Sequence, residues 1–416
     1  MWKLTKVAAV AAVLAAAVAA HAGEVEVLHY WTSGGEAKSA AELKKMMQAK
    51  GHTWRDFAVA GGGGDSAMTV LKSRVISGNP PSAAQVKGPA IQEWASEGVL
   101  GNMDALAKSE KWDEALPKVV ADVMKYKGNY VAAPVNVHRV NWIWASSDAL
   151  KKAGVAAMPK TWDEFFAAAD KLKAAGLIPV AHGGQNWQDF TTFESVVLGV
   201  GGPKFYQDAL VKLDDKALTS DTMKKSLETF RRIKSYTDPG APGRDWNLAT
   251  AMLIQGKAGF QLMGDWAKGE FIAAGKAPGK DFMCAAAPGT ANAFTFNVDS
   301  FILFKLKDAA AQKAQSDLAS AIMSPGFQEV FNLNKGSIPV RAGQSMDKFD
   351  DCAKASAKDF ADTAKSGGLV PSVAHGMAIA PATEGAIKDA VSQFWNDDKV
   401  SVADAMKKIA TAAKNK

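Results

Sequence analysis

Tyr30 and Trp31 end the first predicted strand, Val25–Trp31, and Glu36 follows them across the turn cluster Thr32-Ser33-Gly34-Gly35. Lys87 comes directly after a second short strand-like run, Ala83–Val86. In open α/β sheets the carboxyl ends of strands are where ligands are held. Asn297 and Asp299 add two polar side chains at i and i+2, a spacing that puts both on one face of a strand. Together these residue types suit a sugar. The C–H faces of a sugar ring stack on aromatic rings. Its hydroxyl edge needs donors and acceptors together, and each one left unpaired in a buried site costs about 1–3 kcal/mol. Plainer readings stand beside this one: Trp31 as core packing and Lys87 as a solvated lysine.

Other features carry less chemistry. Gly61–Gly64 lacks both the Gly-Lys-Ser/Thr ending of a P-loop and the spacing of a dinucleotide fingerprint, and reads as a flexible βα turn. His138 and His182 have no metal-ligand spacing with other His or Cys. His182-Gly183-Gly184 resembles an oxyanion loop, but no Gly-x-Ser-x-Gly elbow accompanies it. An exported glycosidase with Glu36 and Asp299 as paired carboxylates is an alternative reading with no local motif behind it. Lys72/Arg74 and Arg231/Arg232 read as solvated helix faces. Neither a catalytic residue nor a metal or cofactor site is expected.

The elements that position these residues alternate between strand and helix. After Val25–Trp31 come a helix from Glu36 to near Gly51, a strand around Thr53–Ala60, a helix over Asp65–Ile76, the strand Ala83–Val86 and a helix begun by Pro89 in the favoured first turn. This order predicts an α/β fold with a largely parallel, doubly wound sheet. Tyr126–Tyr130 reads as a hairpin turn, and Val131–Ala145 as one long strand. Thr161, with Glu164 three residues on, predicts a capping box at a helix start. A strand over Leu177–Ala181, mostly helix to Tyr236, a strand at Phe301–Phe304 and a helical C-terminal quarter complete the reading. No repeat of 20–50 residues is present, which disfavours a solenoid.

The chain has 416 residues, more than one core usually organises, so two domains are expected. Its formal charge is +6 with basic and acidic residues interspersed, which argues against nucleic acid as a partner. Lys3 and Lys6, the apolar run Val7–Ala20 and the small-x-small ending Ala20-His21-Ala22 have the layout of a secretory signal, cleaved near Ala22. The run is too short for a comfortable transmembrane helix. Export to an oxidising compartment would permit one disulfide between Cys284 and Cys352, the alternative being two unpaired thiols.

Five segments, in order, match one family: Leu28–Thr32, Leu71–Pro81, Pro159–Phe165, Gly256–Phe260 continued by Met263-Gly264-Asp265-Trp266, and Phe331–Arg341. On these the chain resembles the bacterial extracellular solute-binding proteins that feed sugars to ABC importers, and is most similar to their periplasmic glucose-binding branch, with maltose-binding architecture. The resemblance implies a type II, two-lobed periplasmic-binding-protein fold that closes like a hinge around its ligand. It implies an N-terminal lobe of residues 23–134 plus 297–340 and a C-terminal lobe of residues 135–296 plus 341–416. It implies ligand contacts at Trp31, Glu36, Lys87, Trp246, Trp266, Asn297, Asp299, Lys335 and His375. Tyr30 is a further candidate, although successive strand residues point to opposite faces. The implied ligand is a monosaccharide, glucose or a near relative, with an oligosaccharide or sugar phosphate on the same fold as alternatives. The implied partners are the membrane subunits of an ABC permease, with a chemoreceptor as a second reader of the closed form. The protein itself would be a periplasmic monomer.

Overall fold

A computed structural model describes residues 22–414. The leader, apart from Ala22, lies outside the described residues. Among the described residues, fourteen strands form the sheets: β1 (Glu24–His29), β2 (Thr53–Ala58), β3 (Ala83–Gln85), β4 (Lys125–Tyr126), β5 (Asn129–Tyr130), β6 (Ala132–Pro134), β7 (His138–Arg139), β8 (Trp142–Ser146), β9 (Ile178–Val180), β10 (Ala258–Leu262), β11 (Phe282–Ala286), β12 (Phe294–Asn297), β13 (Ser300–Leu303) and β14 (Leu369–Pro371). A five-stranded sheet runs β2-β1-β3-β13-β6, a four-stranded sheet β11-β8-β10-β9 and a three-stranded sheet β14-β12-β7, with β4 and β5 pairing as a hairpin. The sheets are mixed rather than largely parallel. β1, β2 and β3 pair parallel, but β13 enters antiparallel to both β3 and β6, and β8 is antiparallel to β10 and β11. β6 and β13 follow β5 and β12 through short links with no helix between, so no βα crossover sets them parallel to their neighbours.

The expected single strand over Val131–Ala145 is three strands, β6, β7 and β8, in three different sheets. An apolar run buried on both faces gives no period by which such breaks could be read. The expected helices are present at Gly34–Ala49, Asp65–Ile76, Pro89–Ser96 and Trp162–Ala174. Thr161 Oγ1 accepts from the Glu164 amide at 3.2 Å, but Glu164 takes the amide of Lys160 rather than that of Thr161, so the box is only half formed. Arg74 and Arg231 are not solvated faces. Arg74 bonds Glu26 at 2.7 Å and lies over Phe57, and Arg231 donates to the Phe394 carbonyl at 2.6 Å and covers that ring.

The apolar interior divides. One core is built from Val25 to Val137 and from Phe294 to Val340, with Phe349, Ala353, Phe360 and Met377 added from further along the chain. Two others, rich in aromatic residues, are built from segments between Val140 and Ala293 and from the chain beyond Leu369. The chain passes between these regions at Val135–Val137 and at Val298–Asp299, which lie side by side: the Val135 amide donates to the Asp299 carbonyl at 2.8 Å, and Val137 exchanges both backbone bonds with Ile338. Cys284, on β11, is bonded to Cys352 in the helix Asp351–Ser366.

Candidate functional site

The floor of the cleft is made by the crossing segments. Asn297 ends β12, and Asp299 lies in the irregular link before β13, so the two share the cleft through that link and not through one continuous strand face. Asp299 is enclosed by donors: Gln85 Nε2 at 3.3 Å, Asn136 Nδ2 at 3.2 Å and His138 Nε2 at 3.0 Å. The other nitrogen of His138 is bonded to Asp265 Oδ1. Burial alone would lower the imidazole's pKa, but the flanking Asp265 and Asp299 carboxylates outweigh it and raise it. Burial would likewise raise Asp299, yet His138, with Lys335 and Lys87 beyond it, holds this carboxyl far below the usual range. Both carboxylates thus favour the imidazolium form of His138.

One wall comes from the first core. β1 ends at His29, so Tyr30 and Trp31 are past the strand and its face alternation no longer applies. Both line the cavity, and both are buried. Trp31 packs edge-on against Phe301 and tilted against Phe331, so it serves as core and cavity wall at once. Glu36, in the first turn of its helix, accepts from Lys335 Nζ at 2.6 Å. Lys87 is half-buried, its ammonium 5.6 Å from the centre of the Tyr30 ring, and burial lowers its pKa against the pull of Asp299 and Glu384. The opposite wall is aromatic. Trp246 opens the helix Trp246–Ile254, Trp266 precedes the helix Ala267–Ala273, and Trp187 lies at the start of the helix Asn186–Tyr206. His375 stands edge-on to Trp266 at 4.8 Å, and its Nε2 meets Thr191 Oγ1 at 2.9 Å. Burial holds its pKa well below the ordinary value, so it is a neutral imidazole that can both donate and accept.

All ten residues named from the sequence line one cavity, together with Gly62, His138 and Trp187, which sequence reading left out. His138 has no sequence signal, because its carboxylate partners lie 127 and 161 residues away. Gly62 did have a signal, the glycine run, but its use is spatial. A β carbon on Gly62 would sit 2.9 Å from Trp246 Cδ1, one on Gly63 2.9 Å from Trp187 Cδ1, and one on Gly64 2.8 Å from Tyr30 Cε1. The turn is bare so that it can lie against three aromatic rings. Other contacts also cross the cleft: the Gly35 amide donates to Glu270 at 2.8 Å, and Lys388 approaches Asp65 at 3.4 Å. The lobes are thus closed, and the cavity between them has about 20 Å³ free, room for little more than one water. Asn297 Oδ1 is buried here with no hydrogen-bond partner among the described residues. Among those residues no cluster of His, Cys, Asp or Glu is arranged to hold a metal ion.

Residues 33–320 match the family model described as bacterial extracellular solute-binding protein. The chain belongs to this family. A Rhizobium meliloti protein described as a probable sugar-binding periplasmic protein is 49% identical over 399 residues, covering 96% of each chain. An uncharacterized ABC transporter extracellular-binding protein of Pyrococcus horikoshii is 33% identical, over 92% of this chain and 88% of that one. A glucose-binding protein of Saccharolobus solfataricus is 26% identical over 58% of this chain and 45% of its own. Among solved structures, a chitin oligosaccharide binding protein superposes with a TM-score of 0.79 at 18% identity, over 94% of this chain and 98% of that one. A maltose-bound T. maritima protein does so with a TM-score of 0.74 at 18% identity, over 94% and 99%. The fold is the maltose-binding-like, two-lobed α/β fold of these proteins. This solute-binding protein is the periplasmic sugar-binding component of an ABC transporter, working with permease subunits, and not an enzyme.

Proposed function

We propose that the ligand is a neutral monosaccharide, glucose or a close relative, held as one ring between Trp31 and Tyr30 on one side and Trp246 and Trp266 on the other. The observation that carries this reading is the unpartnered Asn297 Oδ1, a buried acceptor in an aromatic-walled cavity, which a sugar hydroxyl would satisfy. Charge favours a neutral ligand. Glu36, Asp265 and Asp299 balance Lys87, Lys335 and the His138 imidazolium, and the lining holds no Arg to grip a phosphate. Asp299 and Glu36 are already engaged by His138 and Lys335, so neither stands free to act on a glycosidic bond.

The ring enters while the lobes are apart, and the sugar-filled form stands slightly wider than the tight closure seen here. In this reading the lobes are residues 23–134 plus 297–340 and residues 135–296 plus 341–416, and the leader is removed near Ala22. The protein delivers its sugar as a monomer, and a chemoreceptor is a second partner of the closed form. Calorimetry on the purified mature chain with glucose, galactose, mannose, xylose and maltose tests the ligand. Micromolar binding, about −8 kcal/mol, is the expected scale. Absence of heat with every monosaccharide tried overturns the one-ring reading.

A further inference from the structure

Thr191 stands in the helix Asn186–Tyr206, buried behind His375, and does not itself line the sugar cavity. Its hydroxyl oxygen makes two short contacts, 2.8 Å to the Trp187 carbonyl and 2.9 Å to His375 Nε2. The imidazole is clamped by two indoles, standing edge-on to Trp266 at 4.8 Å and to Trp187 at 5.8 Å. Those rings fix its plane, and the Thr191 contact fixes which nitrogen points inward.

Counting protons decides how the two contacts are filled. A carbonyl oxygen has no proton to give, so the Thr191 O–H donates to Trp187. That is the hydroxyl's only proton. The second contact is then filled by an N–H on His375 Nε2, with the Thr191 oxygen accepting. The reverse arrangement, O–H donating to Nε2, would leave two oxygens facing each other at 2.8 Å with no proton between them. Burial, with Lys87, His138 and Lys388 nearby, holds His375 well below its ordinary pKa, so the ring carries a single proton. With that proton on Nε2, Nδ1 is bare and can only accept.

We propose that Thr191 is a positioning residue for ligand choice: by holding the imidazole proton on Nε2, it makes His375 Nδ1 a pure acceptor that demands an O–H donor from the ligand. The proposal rests on the one-ring sugar reading for what fills the cavity, whereas the tautomer itself does not depend on it. Thr191, Trp187, Trp266 and His375 stand together on the aromatic wall, so the pair persists when the lobes part. Asn297 Oδ1 offers a second acceptor in the same cavity. Two acceptors with no proton of their own favour hydroxyls over a ligand's carbonyl or carboxylate oxygens, which cannot donate.

Nitrogen NMR on the mature chain with isotopically labelled histidine reads the tautomer, since protonated and bare ring nitrogens resonate far apart, and His375→Ala identifies the signal. Wild type and Thr191→Ser are expected to carry the proton on Nε2. Thr191→Val keeps the size but cannot accept, so it strands an Nε2–H against a methyl group and should move the proton to Nδ1. A proton on Nδ1 in wild type, or no change in Thr191→Val, overturns the proposal and leaves the sugar reading standing. Calorimetry follows, with the tightest binder among glucose, galactose, mannose and xylose. Thr191→Val should weaken it about tenfold and Thr191→Ser less than about threefold. In a His375→Ala background, Thr191→Val should change affinity less than about threefold. Unchanged affinity in Thr191→Val, or the same loss in both backgrounds, overturns a role through His375. Absence of heat with all four sugars overturns the one-ring reading and, with it, the part of Thr191 in ligand choice, whatever the tautomer.

Discussion

Asp299→Asn tests the central electrostatic claim, that His138 is charged between two carboxylates. The substitution keeps the size of the side chain and leaves an acceptor for Gln85 or Asn136. It removes one of the two anions facing the imidazolium and turns an amide N–H₂ towards donors. If His138 were neutral, the loss would be that of one hydrogen bond, about 0.5–1.5 kcal/mol. If the pair is ionic and buried, breaking it costs about 3–5 kcal/mol. Guanidinium unfolding at pH 6 separates the two.

The pH profile gives an independent arm. The folded-state pKa of His138 is raised, so its contribution is fully present below the unfolded value near 6.5 and is lost as pH rises through the folded value. Asp299 is depressed, so its contribution is present above about pH 4 and is lost as pH falls through its folded value. Wild type should therefore be most stable between about pH 4 and 6.5, and in Asp299→Asn the alkaline loss, which sets in at the same unfolded value, should be smaller and complete at lower pH than in wild type. A cost below about 1.5 kcal/mol together with an unchanged alkaline limb would refute the imidazolium assignment.

Trp31→Ala should weaken sugar binding by about 1–3 kcal/mol in calorimetry, by analogy with stacked bases. It should also lower stability, because Phe301 and Phe331 lose a packing partner; reduced stability with unchanged affinity would confine Trp31 to the core. Replacing Cys284 and Cys352 by Ser opens a covalent link across 68 residues and should cost about 4 kcal/mol on the chain-entropy scale, measured by unfolding of both forms under non-reducing conditions. Glu194 is buried beneath the His375 segment and accepts from Ser372, Tyr206 and the Val373 and Ala374 amides, while burial pushes its pKa up to about 7. A carboxyl raised in this way stabilises most below its unfolded value, and that share is lost as pH rises towards 7. The stability gap between wild type and Glu194→Gln should therefore shrink by up to about 3 kcal/mol between pH 4.5 and 7, and a gap constant over that range would count against it.

Much of this was legible in the sequence, for local reasons. The helix Asp65–Ile76 and the position of Lys87 beyond β3 follow from periodicity and turn residues, and the candidate residues followed from strand ends combined with a family pattern. What was not legible is long-range. The breaks within Val131–Ala145 arise because each piece pairs in a different sheet, which an apolar run cannot encode locally. His138 looks like an isolated histidine until Asp265 and Asp299 arrive from distant segments. Tyr30 was doubted on an alternation rule that stops at His29, where the strand ends.

The bare turn at Gly61–Gly64 gives the molecule an optical readout of its own state. Trp187 and Trp246 are covered there by backbone alone, so parting of the lobes exposes both indoles to water at once and shifts their emission to the red. The glycines that allow close approach in the shut form thus make the hinge visible to a fluorimeter without any attached dye, and a bulkier residue at Gly62 would hold that signal in its open setting.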